Sequence, residues 1–133
     1  MSTLAHTVAR SVLLAAAPEQ VWEAITDERA LSEWLAPEVE LEPHEGGEIV
    51  CRYDDGEERR GEVELIEDAE RLAFHWRRQG SGPSRVEFVV EAVAGGTRLT
   101  VIETSAAVPT MLASSWTASL GSLRLVLGRL VLA

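Results

Sequence analysis

The sequence predicts an α+β domain in which an antiparallel sheet wraps around a long C-terminal helix, with two short helices after the first strand. Three observations predict it. From Val39 to Glu103, apolar residues alternate with polar or small ones in short segments separated by turn signals. The period then changes, and Leu112, Trp116, Leu120, Leu123, Leu127 and Leu130 recur at three- and four-residue spacing, as on one stripe of a long helix. Near the start, Ala17-Pro18-Glu19-Gln20-Val21-Trp22 and the nearby Trp34 interrupt strand alternation with a Pro-led helical pattern.

Taken in order, Val8, Arg10, Val12 and Leu14 alternate with small or polar residues and mark a first strand. Pro18 suits the first turn of a helix, where its missing N–H costs nothing. Val21, Trp22 and Ile25 give that helix an apolar face. Leu31, Trp34 and Leu35 mark a second short helix that ends near Pro37. Val39 and Leu41 form a short strand, stopped by Pro43 and turned by Gly46-Gly47. Ile49, Cys51 and Tyr53 follow, and Asp55-Gly56 signals a hairpin. Further sets are Val63 and Leu65, then Leu72, Phe74 and Trp76, then Val86, Phe88 and Val90, then Leu99, Val101 and Glu103. Turns at Gly80 to Pro83 and at Gly95-Gly96 separate the last three. Such a series describes an antiparallel meander with one wet face.

A chain of 133 residues suits a single domain over 1–133 with a core able to fold without staples. It is 46% hydrophobic and 26% charged, as soluble globular proteins are. A net charge of −10 excludes nucleic acid as a partner and opposes anionic membrane surfaces. There is no Lys and no Asn, a bias that points to a GC-rich bacterial genome and makes Arg weaker evidence of an anion site than usual. One cysteine, Cys51, rules out an internal disulfide and a cysteine-based metal site, and is compatible with a reducing cytoplasm. Met1 to Arg10 lacks the pattern of a signal peptide. The apolar stretch from Leu120 to Ala133 is too short for a membrane span and is broken by Gly121, Arg124, Gly128 and Arg129. A cytoplasmic location, with no membrane contact, is the expectation.

The stretch from Val12 through Trp34 resembles the opening of the family named for the activator of the ninety-kilodalton heat-shock chaperone's ATPase. The likeness continues through Gly46-Gly47, Gly61-Glu62-Val63, Arg71-Leu72-Ala73-Phe74-His75-Trp76 and Gly96-Thr97-Arg98-Leu99-Thr100-Val101, and closes with Trp116, Leu120 and Leu123. It covers most of the chain. The family belongs to the START-like, or SRPBCC, superfamily. The resemblance implies a helix-grip fold: a curved antiparallel sheet around the C-terminal helix, two short helices closing one end, and a hydrophobic cavity between sheet and helix. It implies no fixed chemistry, since this fold hosts transport, binding and catalysis.

On this reading the inward strand face carries Ile49, Cys51, Tyr53, Val63, Leu65, Leu72, Phe74, Trp76, Phe88, Val90 and Val101, facing Met111, Trp116, Leu120 and Leu123. The residues expected to touch a ligand are Trp34, Cys51, Tyr53, Leu65, Phe74, Trp76, Phe88, Val101, Met111, Trp116 and Leu120. The competing reading of each is ordinary core. Aromatic side chains on several strands, with a few polar atoms among them, favour a pocket. Tyr53 and Trp76 can each offer one hydrogen-bond donor to an apolar ligand.

The sequence offers no catalytic residue, metal site or cofactor motif. His6, His44 and His75 are scattered, and no nucleophile motif, phosphate-binding Gly loop or paired acid stands out. Cys51 reads as a small buried apolar residue. The runs Asp54-Asp55-Gly56-Glu57-Glu58 and Glu67-Asp68-Ala69-Glu70 read as solvated turns. Arg10 and Glu103 break the apolar pattern of their strands, and ions on a core face need partners. A helix-grip fold sets the first and last strands side by side, so the two could pair; alternatively both reach water at strand ends.

The leading functional expectation is a soluble binding protein for a small hydrophobic or aromatic ligand. The alternatives are a co-chaperone acting on the ninety-kilodalton heat-shock chaperone, as the family name suggests, and a cyclase- or hydratase-type enzyme. Leu125, Val126, Val131 and Leu132 fall outside the helical stripe, and a helix apolar on most sides is buried on most sides. A symmetric homodimer is one way to cover them. The cavity's rim or the two short helices are the other.

Overall fold

The computed structural model describes residues 6–106 and 113–132, with side chains in the last helix described from Ser115 to Leu127. Strand β1, His6–Leu14, leads into helices α1, Pro18–Thr26, and α2, Glu28–Trp34. Six strands follow: β2 (Glu38–Leu41), β3 (Glu48–Arg52), β4 (Glu58–Glu67), β5 (Arg71–Arg78), β6 (Ser84–Val93) and β7 (Gly96–Ser105). Helix α3, Ala113–Leu132, closes the chain. The strands form one antiparallel sheet in the order β1-β7-β6-β5-β4-β3-β2. Six are thus a simple meander, and β1 lies beside the last of them. This is the helix-grip arrangement.

The short helices are fixed by local chemistry. Pro18 opens α1, and the Gln20 side chain turns back to accept from the Ala17 N–H at 2.9 Å. Val21, Ala24 and Ile25 form its buried face. Asp27 ends α1 and caps α2, accepting from the Ala30 N–H at 2.9 Å. The Trp34 indole then donates to the Ala24 carbonyl at 2.9 Å, locking the second helix onto the first.

On the sheet, although Val50, Ala73 and Glu87 on the outer face are buried as well, the faces alternate along each strand except in β4. There the pairing with β5 slips by one residue: Val63 opposes Phe74, but Leu65 opposes Ala73. The bulge reverses the faces beyond it. Ile66 packs on the core, and Leu65 turns to the other face, contrary to expectation. The outer face is laced with ion pairs, among them Arg60 with Glu48 and Glu58, Arg85 with Glu64 and Glu87, and Arg71 with Glu87. The exposed pairs, those of Arg60 and of Arg85 with Glu64, each add about 0–1 kcal/mol, whereas Glu87 is itself buried between two arginines.

Along α3, Trp116, Leu120, Leu123 and Leu127 are buried, as their spacing predicts. Val126 is buried as well, whereas Leu125 is 71% exposed. Met111 and the side chains of Val131 and Leu132 lie outside the described residues, so among those described only Leu125 remains of the apolar surplus. Arg124 ties the helix to β1 by donating to the Leu13 carbonyl at 3.1 Å. Among the described residues, no helix is long and apolar enough to cross a membrane.

Candidate functional site

Five aromatic side chains form a continuous cluster between sheet and helix. The Trp76 ring, on β5, stacks on Trp116 of α3 at 6.2 Å between centroids and 23° between planes. Phe88, on β6, meets Trp116 edge-on at 5.9 Å and Trp34 of α2 at 5.9 Å. Phe74 completes the ring with contacts to Trp76 and Phe88. Each such geometry adds about 0.5–1.5 kcal/mol beyond the area buried. Three layers of the fold, α2, the sheet and α3, are joined through this cluster.

Inside the cluster sits a carboxyl. Glu103, on β7, is fully buried. Its Oε2 accepts from the Trp76 indole N–H at 3.0 Å and from the Ser84 hydroxyl at 2.5 Å, and its Oε1 accepts from the Trp116 indole N–H at 3.1 Å. The pairing with Arg10 considered from the sequence does not form, and Glu103 does not reach water. Arg10 is exposed and donates to the neighbouring Ala9 carbonyl, while Val8 stands opposite Glu103. Indole donors from β5 and α3 are among the groups that hold it.

A second polar group lies on the other side of Trp76. Arg59, on β4, is buried, and its guanidinium carbon is 5.1 Å from the centre of the Trp76 ring and 4.8 Å from that of Tyr53. Its Nε donates to Glu57 at 3.0 Å and its Nη1 to the Tyr53 hydroxyl at 3.4 Å. Glu57 is therefore a half-buried partner of Arg59, not the solvated turn residue its acidic run suggests. Gly61 opposes Trp76 on the same strand pair. A Cβ there would come to 1.7 Å from the His75 carbonyl oxygen, so only glycine allows this close approach of β4 and β5.

Burial pushes both nearby acids upward. The Cys51 thiol rises from 9.0 to about 12, since burial outweighs the favourable charge of Arg59. Tyr53 is raised for the same reason, again with Arg59 opposing. Cys51 is thus a protonated thiol at neutral pH, not a nucleophile. A raised folded-state pKa stabilises the protein fully below the unfolded value and is lost as pH climbs through the folded one. Between pH 9 and 12, wild type should therefore lose on the order of 3 kcal/mol more stability than Cys51→Ala. Denaturant unfolding across that range checks this; parallel losses in the two proteins would contradict it.

Of the residues expected to touch a ligand, Trp34, Cys51, Phe74, Trp76, Phe88, Val101, Trp116 and Leu120 are all buried in one core cluster, and Tyr53 packs against it half-buried. Leu65 is on the opposite face, and Met111 lies outside the described residues. Arg59, Glu57 and Ser84 join the site without having been expected there. An open groove of about 1000 Å³ runs by Arg60, Glu62, His75 and Arg77, and Glu57 and Trp76 also line it. Its lining carries both signs of charge.

The family model described as activator of Hsp90 ATPase homolog 1-like protein matches residues 15–128. Among curated proteins no match was found. Several solved structures are similar. DynU16, a protein of the dynemicin biosynthetic locus, is 28% identical with a TM-score of 0.82, over 92% of this chain and 47% of its own. The chain thus spans about half the length of DynU16. MLL2253 from Mesorhizobium loti is 21% identical with a TM-score of 0.83, over 93% of this chain and 98% of its own. The Aha1 dimer from Colwellia psychrerythraea is 20% identical with a TM-score of 0.74, over 92% of this chain and 96% of its own.

Proposed function

This chain belongs to the family of activator of Hsp90 ATPase homolog 1-like proteins, and from that premise we propose that it binds a small hydrophobic or aromatic ligand between the sheet and α3. The observation that carries this reading is the polar equipment of an aromatic interior. A core built for stability alone has little use for a buried Glu103 and a buried Arg59, because each must be compensated by placed partners. An apolar site with a few convergent polar groups is what a small-molecule site requires. The origin of DynU16 in a biosynthetic locus accords with small-molecule handling by a related domain.

The ligand enters, on this reading, at the end of the sheet where Tyr53 is half-buried. The turn from Tyr53 to Glu57, the β5–β6 turn and the end of β7 at Ser105 all lie there, as the pairs Arg59–Arg78 and Ser84–Ser105 require. Calorimetric titration with 2-naphthylmethanol tests the proposal. Saturable one-to-one binding is expected, weakened several-fold by Tyr53→Ala. Absence of saturable binding by naphthyl or anthracenyl alcohols and acids would remove the reading. Stimulation of the chaperone's ATPase by a protein that binds none of them would put the co-chaperone function in its place.

A further inference from the structure

The arrangement around Arg59 narrows the ligand class, on the premise that the binding reading above holds. A guanidinium has five N–H donors in a fixed planar fork. Here Nε is committed to Glu57 and one Nη1 hydrogen to Tyr53. Among the described residues, none accepts from Nη2. The side chain is nonetheless only 9% exposed, and its plane is held over two aromatic rings. Among the described residues, then, Nη2 is the one nitrogen of this cation without a protein acceptor, and it is the part of the group that reaches the solvent side, where it can take a further acceptor.

We infer that Arg59 is the anion anchor of the ligand site, and that the ligand is an aromatic carboxylic acid. Its carboxylate meets Nη2 of the guanidinium, and its ring lies along the Trp76 and Trp116 side of the interior. Nη2 carries two N–H donors, and hydrogen bonds between a guanidinium and a carboxylate are among the strong, charge-assisted ones. Glu57 neutralises part of the charge when the site is empty, which makes burial of Arg59 tolerable. The protein's net charge of −10 does not cancel this attraction. Distant surface charges are screened over about 8 Å at physiological salt, whereas a contact inside a poorly hydrated site is screened far less.

The test compares 2-naphthoate with 2-naphthylmethanol, which shares the ring system but carries no charge, by calorimetry at pH 7. Wild type should bind naphthoate at least ten times more tightly. In Arg59→Met the ratio should fall to about one, whatever the change in affinity for the alcohol. Glu57→Gln removes the competing carboxylate and should raise the ratio of naphthoate to alcohol affinity several-fold. It also decides the matter if Arg59→Met does not fold. Equal affinities in wild type, an unchanged ratio in Arg59→Met, or a ratio that does not rise in Glu57→Gln would overturn the anchor while leaving the binding site standing. Failure of both probes to bind would overturn the binding reading and the anchor with it.

Discussion

Replacing Trp116 by alanine should lower the stability of the fold by roughly 3–5 kcal/mol. The side chain is fully buried, stacks on Trp76, meets Phe88 edge-on and donates to Glu103. Truncation removes the only indole that α3 contributes to this cluster and leaves a void at the junction of helix and sheet. Surrounding rings are large and mutually packed, so they can collapse into that void only in part, which places the cost in the upper range for core truncations. Denaturant unfolding of the two proteins reads the difference. A Trp116→Ala protein within about 1 kcal/mol of wild type would mean that α3 does not depend on this contact.

The second large effect is expected at Glu103. Glutamine has nearly the same shape, but one of its two terminal atoms is a donor. With the amide oxygen in the Oε2 position, the Trp76 indole and the Ser84 hydroxyl keep their acceptor, while the Trp116 N–H faces an NH2 group. The reverse orientation leaves Trp76 without its acceptor instead. Either way a buried donor loses its partner, at a cost of about 1–3 kcal/mol. Glu103→Gln should therefore melt measurably earlier, and the indole proton resonance of Trp116 or Trp76 should move upfield as its hydrogen bond is lost. Unchanged stability together with unchanged indole resonances would show that the carboxyl does not hold these two rings.

These two side chains also show how far the sequence could be read. Trp116 was legible because it stands in a stripe repeated at Leu120, Leu123 and Leu127, and a long periodic helix has few alternative placements. The strands were legible because alternation against a single core leaves one register. Leu65 was misplaced because a bulge adds one residue without any local mark beyond the run Val63-Glu64-Leu65-Ile66, which fits either face. Glu103 was conspicuous as an acid among Leu99 and Val101, but its partners come from β5, β6 and α3, and no local pattern connects them. Arg59 was hidden in Glu58-Arg59-Arg60, which reads as a charged turn. Its two-residue steps to Gly61 and Val63 were the available signal, because they put it on the core side of β4.

The interior beside Trp76 and Trp116 is the proposed seat of the ligand. The most direct measurement follows the four indole N–H resonances during titration with 2-naphthylmethanol. Trp76 and Trp116 sit in the proposed site, whereas Trp22 lies on α1 and Trp34 is bonded to Ala24. The account predicts saturable shifts of the Trp76 and Trp116 resonances, with Trp22 unmoved. Shifts confined to Trp22, or none at a probe concentration that saturates binding, would place the ligand elsewhere and contradict it.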